Sequence, residues 1–298
     1  MTPRGVWRIL RLPLFVTAAA DVVAGYAVAL LPDIGQFQWY EALLLAGTSS
    51  GLYLFGMVEN DLADVRRDRL EGARRPLVTG EMSVGGAVAL LVLALALTAF
   101  CAHSLRGGPL VLIIATFAAI NLYNLGAKHG PAYVAMPVMG LCRVLNFGIG
   151  VTAAMGTPKH IGMELVALNA PLWLRQGLAL FFATAMVSGY SIAAHRGYQV
   201  STRIWQFAFI VAAIGGFGVI FFATLPTVHS SPPPTMQLLP PVARVLAVLI
   251  LAMLWPGGLW SIRGPERKPA EYSPFIERAL YWLIVMDAAF VLDGLLIR

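Results

Sequence analysis

Charge is scarce in this chain, and so is cysteine. Only 12% of the 298 residues are charged, whereas 58% are hydrophobic and the mean hydropathy is +0.75. A soluble domain of this length has no use for so much apolar surface, so the scarcity excludes a water-soluble globule and predicts a polytopic membrane protein. The two cysteines, Cys101 and Cys142, both lie inside apolar runs, which excludes a disulfide framework and a thiolate metal site and leaves core packing as their role. A small-residue cleavage site is missing after the first apolar run, which is also too long for a signal-peptide core, so that run is expected to persist as a membrane span. Neither a soluble appendage nor an internal repeat stands out, and residues 1–298 read as a single integral-membrane domain.

What is present is a succession of apolar runs long enough to cross about 30 Å of hydrocarbon. They fall at 12–31, 42–58, 84–103, 109–127, 133–153, 174–194, 204–224, 238–256 and 277–297, and they predict an all-α, nine-transmembrane-helix bundle with short interfacial helices in its cytoplasmic loops. Pro240 and Pro241 predict a kinked start to the eighth span. With the N-terminus inside, the inner segments collect fifteen basic residues: Arg4, Arg8 and Arg11; Arg66, Arg67, Arg69, Arg74 and Arg75; Lys128; Arg196 and Arg203; and Arg263, Arg267, Lys268 and Arg278. The outer segments hold four, Arg106, Lys159, Arg175 and Arg298, so the distribution of positive charge fixes the orientation. The net charge of +6 therefore follows membrane topology, and no nucleic acid is expected as a partner.

One stretch breaks the apolar pattern: residues 59–81, ENDLADVRRDRLEGARRPLVTGE, directly after the second span. On a helical wheel Asn60, Asp61, Asp64 and Asp68 fall at about 0, 100, 40 and 80°, so four oxygen-bearing side chains share one face. Arg66, Arg67, Arg69, Arg74 and Arg75 follow as an arginine-rich loop. Such acids repel one another unless a cation sits among them, and Mg²⁺, which takes hard oxygen ligands and shares its shell with phosphates, suits the pattern. Pairing of the acids with nearby arginines in a solvated loop is the alternative, and spacing alone does not choose between the two.

The segment GMVENDLADVRRDRLEGARRPLVTGEMS resembles the first aspartate-rich signature of the UbiA superfamily of intramembrane prenyltransferases, NDxxDxxxD followed by RPLxxG, matched here by Asn60, Asp61, Asp64, Asp68, Arg75, Pro76, Leu77 and Gly80. LYNLGAK is similar to that family's tyrosine-lysine element after the fourth span, and MPVMGLCRVLNFGIGV resembles the UbiA-like branch of bacterial ebo-type operons. The resemblance implies a nine-helix fold in a bacterial inner membrane with the N-terminus and active site cytoplasmic. It implies transfer of an isoprenyl group from an isoprenyl diphosphate to a lipophilic, often aromatic, acceptor within the lipid bilayer. Asp61, Asp64 and Asp68 with Asn60 would hold Mg²⁺ and diphosphate, and Arg67, Arg75, Lys128 and Arg143 would contact phosphate. Apart from the resemblance, Tyr53, Phe55 and Tyr123 could flank an isoprenoid tail or steady a cation, although a packing role suffices for each alone.

One departure matters. The family's second aspartate-rich motif belongs at the cytoplasmic end of the sixth span, where this chain reads SGYSIAAHRGYQVSTR without an acidic residue. His195 and Arg196 could supply substitute cationic contacts there, although a loop histidine at a helix end needs no such role. Two rivals to prenyl transfer follow: a UbiA-like terpene cyclase, and a catalytically impaired isoprenoid- or lipid-binding transport partner. Ionisable groups inside spans also need partners, and these are Asp21, Arg143, Arg244, Asp287 and Asp293, with Asn146 beside them. Interhelical pairing of Asp21 with Arg143, and of Arg244 with Asp287 or Asp293, is one reading. In the other, Asp21, Arg143 and Asn146 line the reaction chamber; Arg143 and Asn146, about one helical turn apart, share a face suited to that role.

Overall fold

The structure, a computed structural model, describes residues 2–11, 15–30, 37–105, 109–156 and 170–196, together with 283–285, 287, 288 and 291. The expectations for the seventh and eighth spans, for Arg244 and Asp293, and for most of the outer loop 154–173 lie outside these residues. The described elements are all helical: α1 (Pro3–Leu10), α2 (Phe15–Ala29), α3 (Trp39–Leu70), α4 (Pro76–Thr79), α5 (Val84–His103), α6 (Leu110–Leu125), a 3₁₀ turn (Ala127–His129), α7 (Ala132–Ala154) and α8 (Ala170–Arg196). Helices thus occupy the first six predicted spans, and four of them, α3, α5, α6 with its 3₁₀ extension, and α7, are long and apolar enough to cross a membrane.

The largest difference from the sequence reading concerns α3. The apolar run ends at about residue 58, yet the helix continues unbroken to Leu70, 32 residues or about 48 Å in all. Arg66, Arg67 and Arg69 therefore belong to the helix with the aspartates, and only Arg74 and Arg75 stand in the loop after it. The segment from Asn60 to Leu70 contains neither glycine nor proline, so nothing in it stops helix propagation. The chain then turns at Gly72 (φ 65°) and enters α4 with Pro76 at its first position, where a missing N–H is harmless. Gly80, at φ 78°, ends that short helix in the left-handed region.

Helix packing relies on missing side chains. At the α2–α7 crossing a Cβ on Gly150 would lie 1.9 Å from the Val22 carbonyl oxygen, and one on Gly25 would lie 2.2 Å from that of Phe147. Only glycine permits such an approach, the usual means by which helices in lipid gain close contact. Ser49 Oγ on α3 and Asn146 Nδ2 on α7 both donate to the Ala18 carbonyl on α2 at 2.8 Å, pinning three helices at one level. Gly140 abuts Phe181, and Gly177 abuts Val144 and Phe147, so α7 and α8 run antiparallel. The main core fills the space among α2, α3, α7 and α8, while a second cluster of Ile9, Val58, Leu77, Met82 and Ala87 ties α1 and α4 to the charged half of α3.

Candidate functional site

Asp61, Asp64 and Asp68 are buried, with 3, 6 and 6% of their surface exposed. One helical face carries all three toward the rest of the protein, because α3 keeps its phase through the motif. Lys128, presented by the 3₁₀ turn after α6, reaches between them: its Nζ donates to Asp64 Oδ2 and to Asn60 Oδ1, each at 2.8 Å. Arg67 Nη2 lies 3.0 Å from the same Asp64 oxygen, and its Nη1 meets His129 Nδ1 at 3.2 Å. Arg75 Nε approaches Asp68 at 3.9 Å. The predicted cations Arg67, Arg75 and Lys128 are thus gathered around the predicted acids.

Two participants escaped the sequence reading. Arg11, at the end of α1, takes a left-handed conformation (φ 45°) and sets Nη2 3.7 Å from Asp61 Oδ1. Its only sequence signal was membership of the N-terminal basic group, which topology alone explained. His129 Nε2 lies 3.8 Å from Asp64 Oδ1 and gave no signal beyond adjacency to Lys128. The position of α1 is held further by Arg8, whose Nη1 pairs with Glu81 at 2.6 Å, and by the Thr2 N–H donating to the Glu81 carbonyl at 3.0 Å. Both ends of residues 59–81 are therefore tied to the N-terminal helix. Beneath the motif, Asn124 Nδ2 on α6 donates to Glu59 Oε2 at 2.8 Å and to the Gly56 carbonyl at 2.9 Å, fixing α6 against α3.

Burial raises the Asp68 carboxyl above the usual carboxylate range; Arg75 and Arg67 act to lower it, while Asp64 and Asp61 push it up. Asp64 Oδ1 is buried and accepts no hydrogen bond, so one hard oxygen of the motif has its ligand capacity unused. Among the described residues no three His, Cys, Asp or Glu side chains converge on one point. Mg²⁺ does not need three, since it is commonly held by one or two carboxylates with phosphate oxygens and waters, and Asp61, Asp64 and Asn60 fit that donor set.

The other predicted site residues separate from this group. Arg143 on α7 pairs through Nη1 with Asp21 and donates through Nη2 to Thr17 Oγ1 at 2.7 Å, as the pairing reading expected. Asn146 uses its amide on the Ala18 carbonyl. Asp287 accepts from Gln176 Nε2 at 3.1 Å and lies within hydrogen-bonding reach of Asp21. Tyr123 sits half-buried on α6 against the main core. His195 and Arg196 close α8, and their side chains lie outside the described residues.

No family model matches the sequence, and no curated protein does. Solved structures do match in fold. A UbiA homologue from Aeropyrum pernix K1 is 18% identical with a TM-score of 0.62, over 93% of this chain and 96% of its own. A UbiA homologue from Archaeoglobus fulgidus bound to GPP and Mg²⁺ is 17% identical with a TM-score of 0.62, over 98% and 99%. A digeranylgeranylglyceryl phosphate synthase is 15% identical with a TM-score of 0.58, over 98% of both chains. The chain therefore has the fold of the UbiA homologues, the family that its aspartate-rich segment resembles.

Proposed function

We propose that the chain is an intramembrane prenyltransferase of the UbiA superfamily that moves an isoprenyl group from an isoprenyl diphosphate to a lipophilic acceptor, at a Mg²⁺-dependent site facing the cytoplasm. The observation that carries this reading is the buried face of Asp61, Asp64 and Asp68 ringed by Arg11, Arg67, Arg75 and Lys128. Acids interleaved with four cations suit a ligand that is itself an anion joined to a metal ion. A neighbour in fold that holds GPP and Mg²⁺ supports the same ligand class.

When bound, Mg²⁺ would neutralise charge that builds on the diphosphate as its C–O bond ionises. The chain's own residues supply the rest. Lys128 and the guanidinium groups of Arg67 and Arg75 give charge-assisted hydrogen bonds to phosphate oxygens, strongest where water is excluded. Asn60 and Asp64 orient Lys128 beforehand, so its ammonium is in place without reorganisation. The apolar bundle keeps water from the allylic cation. Among the described residues α8 brings no carboxylate to this end.

Asp61→Ala and Asp64→Ala test the assignment. With reconstituted protein, geranyl diphosphate and Mg²⁺, each is expected to lower diphosphate release at least about a hundredfold, the scale set by losing one preorganised charge-stabilising group, while membrane insertion is unchanged. Full activity in either variant would remove the metal-site assignment. Products formed without any acceptor would instead identify a cyclase.

A further inference from the structure

Deep in the bundle, away from the aspartate motif, two acids share one cation. Asp21 on α2 and Asp287 in the last described helical segment are 0 and 2% exposed, and their carboxyl groups are within hydrogen-bonding reach of each other. Arg143 is bound through Nη1 to Asp21 and through Nη2 to Thr17, and Gln176 holds Asp287. Tyr53 on α3 and Cys142, next to Arg143 on α7, are the other titratable groups near that guanidinium among the described residues. Among the described residues a single guanidinium stands between the two acids, so these groups carry no surplus positive charge. If both acids ionise their net charge with Arg143 is −1, and if they share a proton it is zero.

The hydrogen-bonding capacity left over belongs to oxygens. Gln176 Oε1, Thr184 Oγ1 and Ser188 Oγ are buried without a partner. They lie within about 120° of one another around α8 and climb about 18 Å along it. Because α8 runs antiparallel to α7, and α7 begins beside Lys128, this track leads from the carboxyl pair toward the aspartate motif. Oxygens buried in a membrane interior without donors are costly unless a ligand or water satisfies them. A neutral hydroxyl both donates and accepts and matches such a track. A carboxylate would add negative charge to a cluster in which Arg143, the cation present among the described residues, is already engaged.

We propose that this track, Ser188–Thr184–Gln176 with the Asp21–Arg143–Asp287 cluster at its base, binds the acceptor and selects neutral hydroxyl-bearing lipophiles over those that carry a carboxylate. The proposal rests on the prenyl-transfer reading and names the acceptor class for it.

The test uses the full chain in liposomes with geranyl diphosphate, Mg²⁺ and two matched acceptors, a long-chain alkylphenol and the same phenol with a ring carboxylate. Donor binding without acceptor is measured in parallel by equilibrium dialysis. The neutral phenol should be prenylated with kcat/KM at least tenfold above its carboxylate analogue. Asp287→Asn should narrow that ratio by lowering KM for the carboxylate analogue. Thr184→Val combined with Ser188→Ala should raise KM for the phenol severalfold with donor binding intact, which also reports a folded protein and stands in if Asp287→Asn does not fold. Preference for the carboxylate analogue, or a ratio unmoved by either variant, overturns the proposal while leaving prenyl transfer in place. Absence of Mg²⁺-dependent donor binding in the unaltered protein overturns both.

Discussion

Lys128 is the residue on which the motif closes. Its ammonium is buried between Asn60 and Asp64, contributed by an element almost seventy positions away in sequence. Truncation leaves Asp64 with Arg67 as its remaining close cation, on a side chain about half exposed. Lys128→Ala is therefore expected to destabilise the protein by about 1–3 kcal/mol, the cost of a buried charged group losing a hydrogen-bond partner, and to weaken Mg²⁺-diphosphate binding at least tenfold. Thermal unfolding in detergent and a donor-binding isotherm measure the two effects separately. Lys128 was legible because LYNLGAK is similar to the tyrosine-lysine element of the UbiA superfamily. Arg11 was not, because its contact with Asp61 depends on a left-handed turn after α1 that no local residue type announces.

At the scale of elements, the glycines decide where helices meet. Gly150→Ala would place a methyl group within 1.9 Å of the Val22 carbonyl, and the backbone of α2 cannot move without losing the Ala18 bonds to Ser49 and Asn146. Overpacking of this kind costs about 1–3 kcal/mol or more, whereas Gly85→Ala on α5, where nothing lies within 4 Å, should be neutral or stabilise the helix by up to about 1 kcal/mol. Unfolding curves for the two variants should move in opposite directions or leave Gly85→Ala unchanged; equal destabilisation would remove the close-approach account. The spans themselves were readable from hydropathy to within a few residues, as Val84–His103 and Ala132–Ala154 illustrate. The continuation of α3 to Leu70 was not, because hydropathy registers the end of the lipid and not the end of a helix. Likewise the sequence offered Arg244, which lies outside the described residues, as a partner for Asp287 and gave no sign of Gln176; packing brings Gln176 to it.

For the whole molecule, the basic residues predict which end faces the cytoplasm. Glu71, exposed after α3, and Ser104, exposed at the far end of α5, lie at opposite ends of the bundle. In a background lacking Cys101 and Cys142, Glu71→Cys should react with a membrane-impermeant thiol reagent from the cytoplasmic side only, and Ser104→Cys from the other side only. Reversed labelling would turn the motif outward and remove the cytoplasmic site. Fold similarity at 15–18% identity over nearly the full chain fits a bundle specified mainly by apolar runs and a few glycine crossings, which many sequences can supply.

Because α3 is one uninterrupted helix, the aspartates inherit their angular phase from the membrane-embedded part of the same rod. Gly51, pressed against Thr98 and Ala94 of α5, sets that phase ten residues before Asp61. Inserting or deleting a single residue between them would keep the span apolar and the motif letters intact. It would nonetheless swing Asp61, Asp64 and Asp68 through about 100°, away from Lys128. The spacing from Gly51 to Asp61 is thus part of the motif, although no residue within that interval is a ligand.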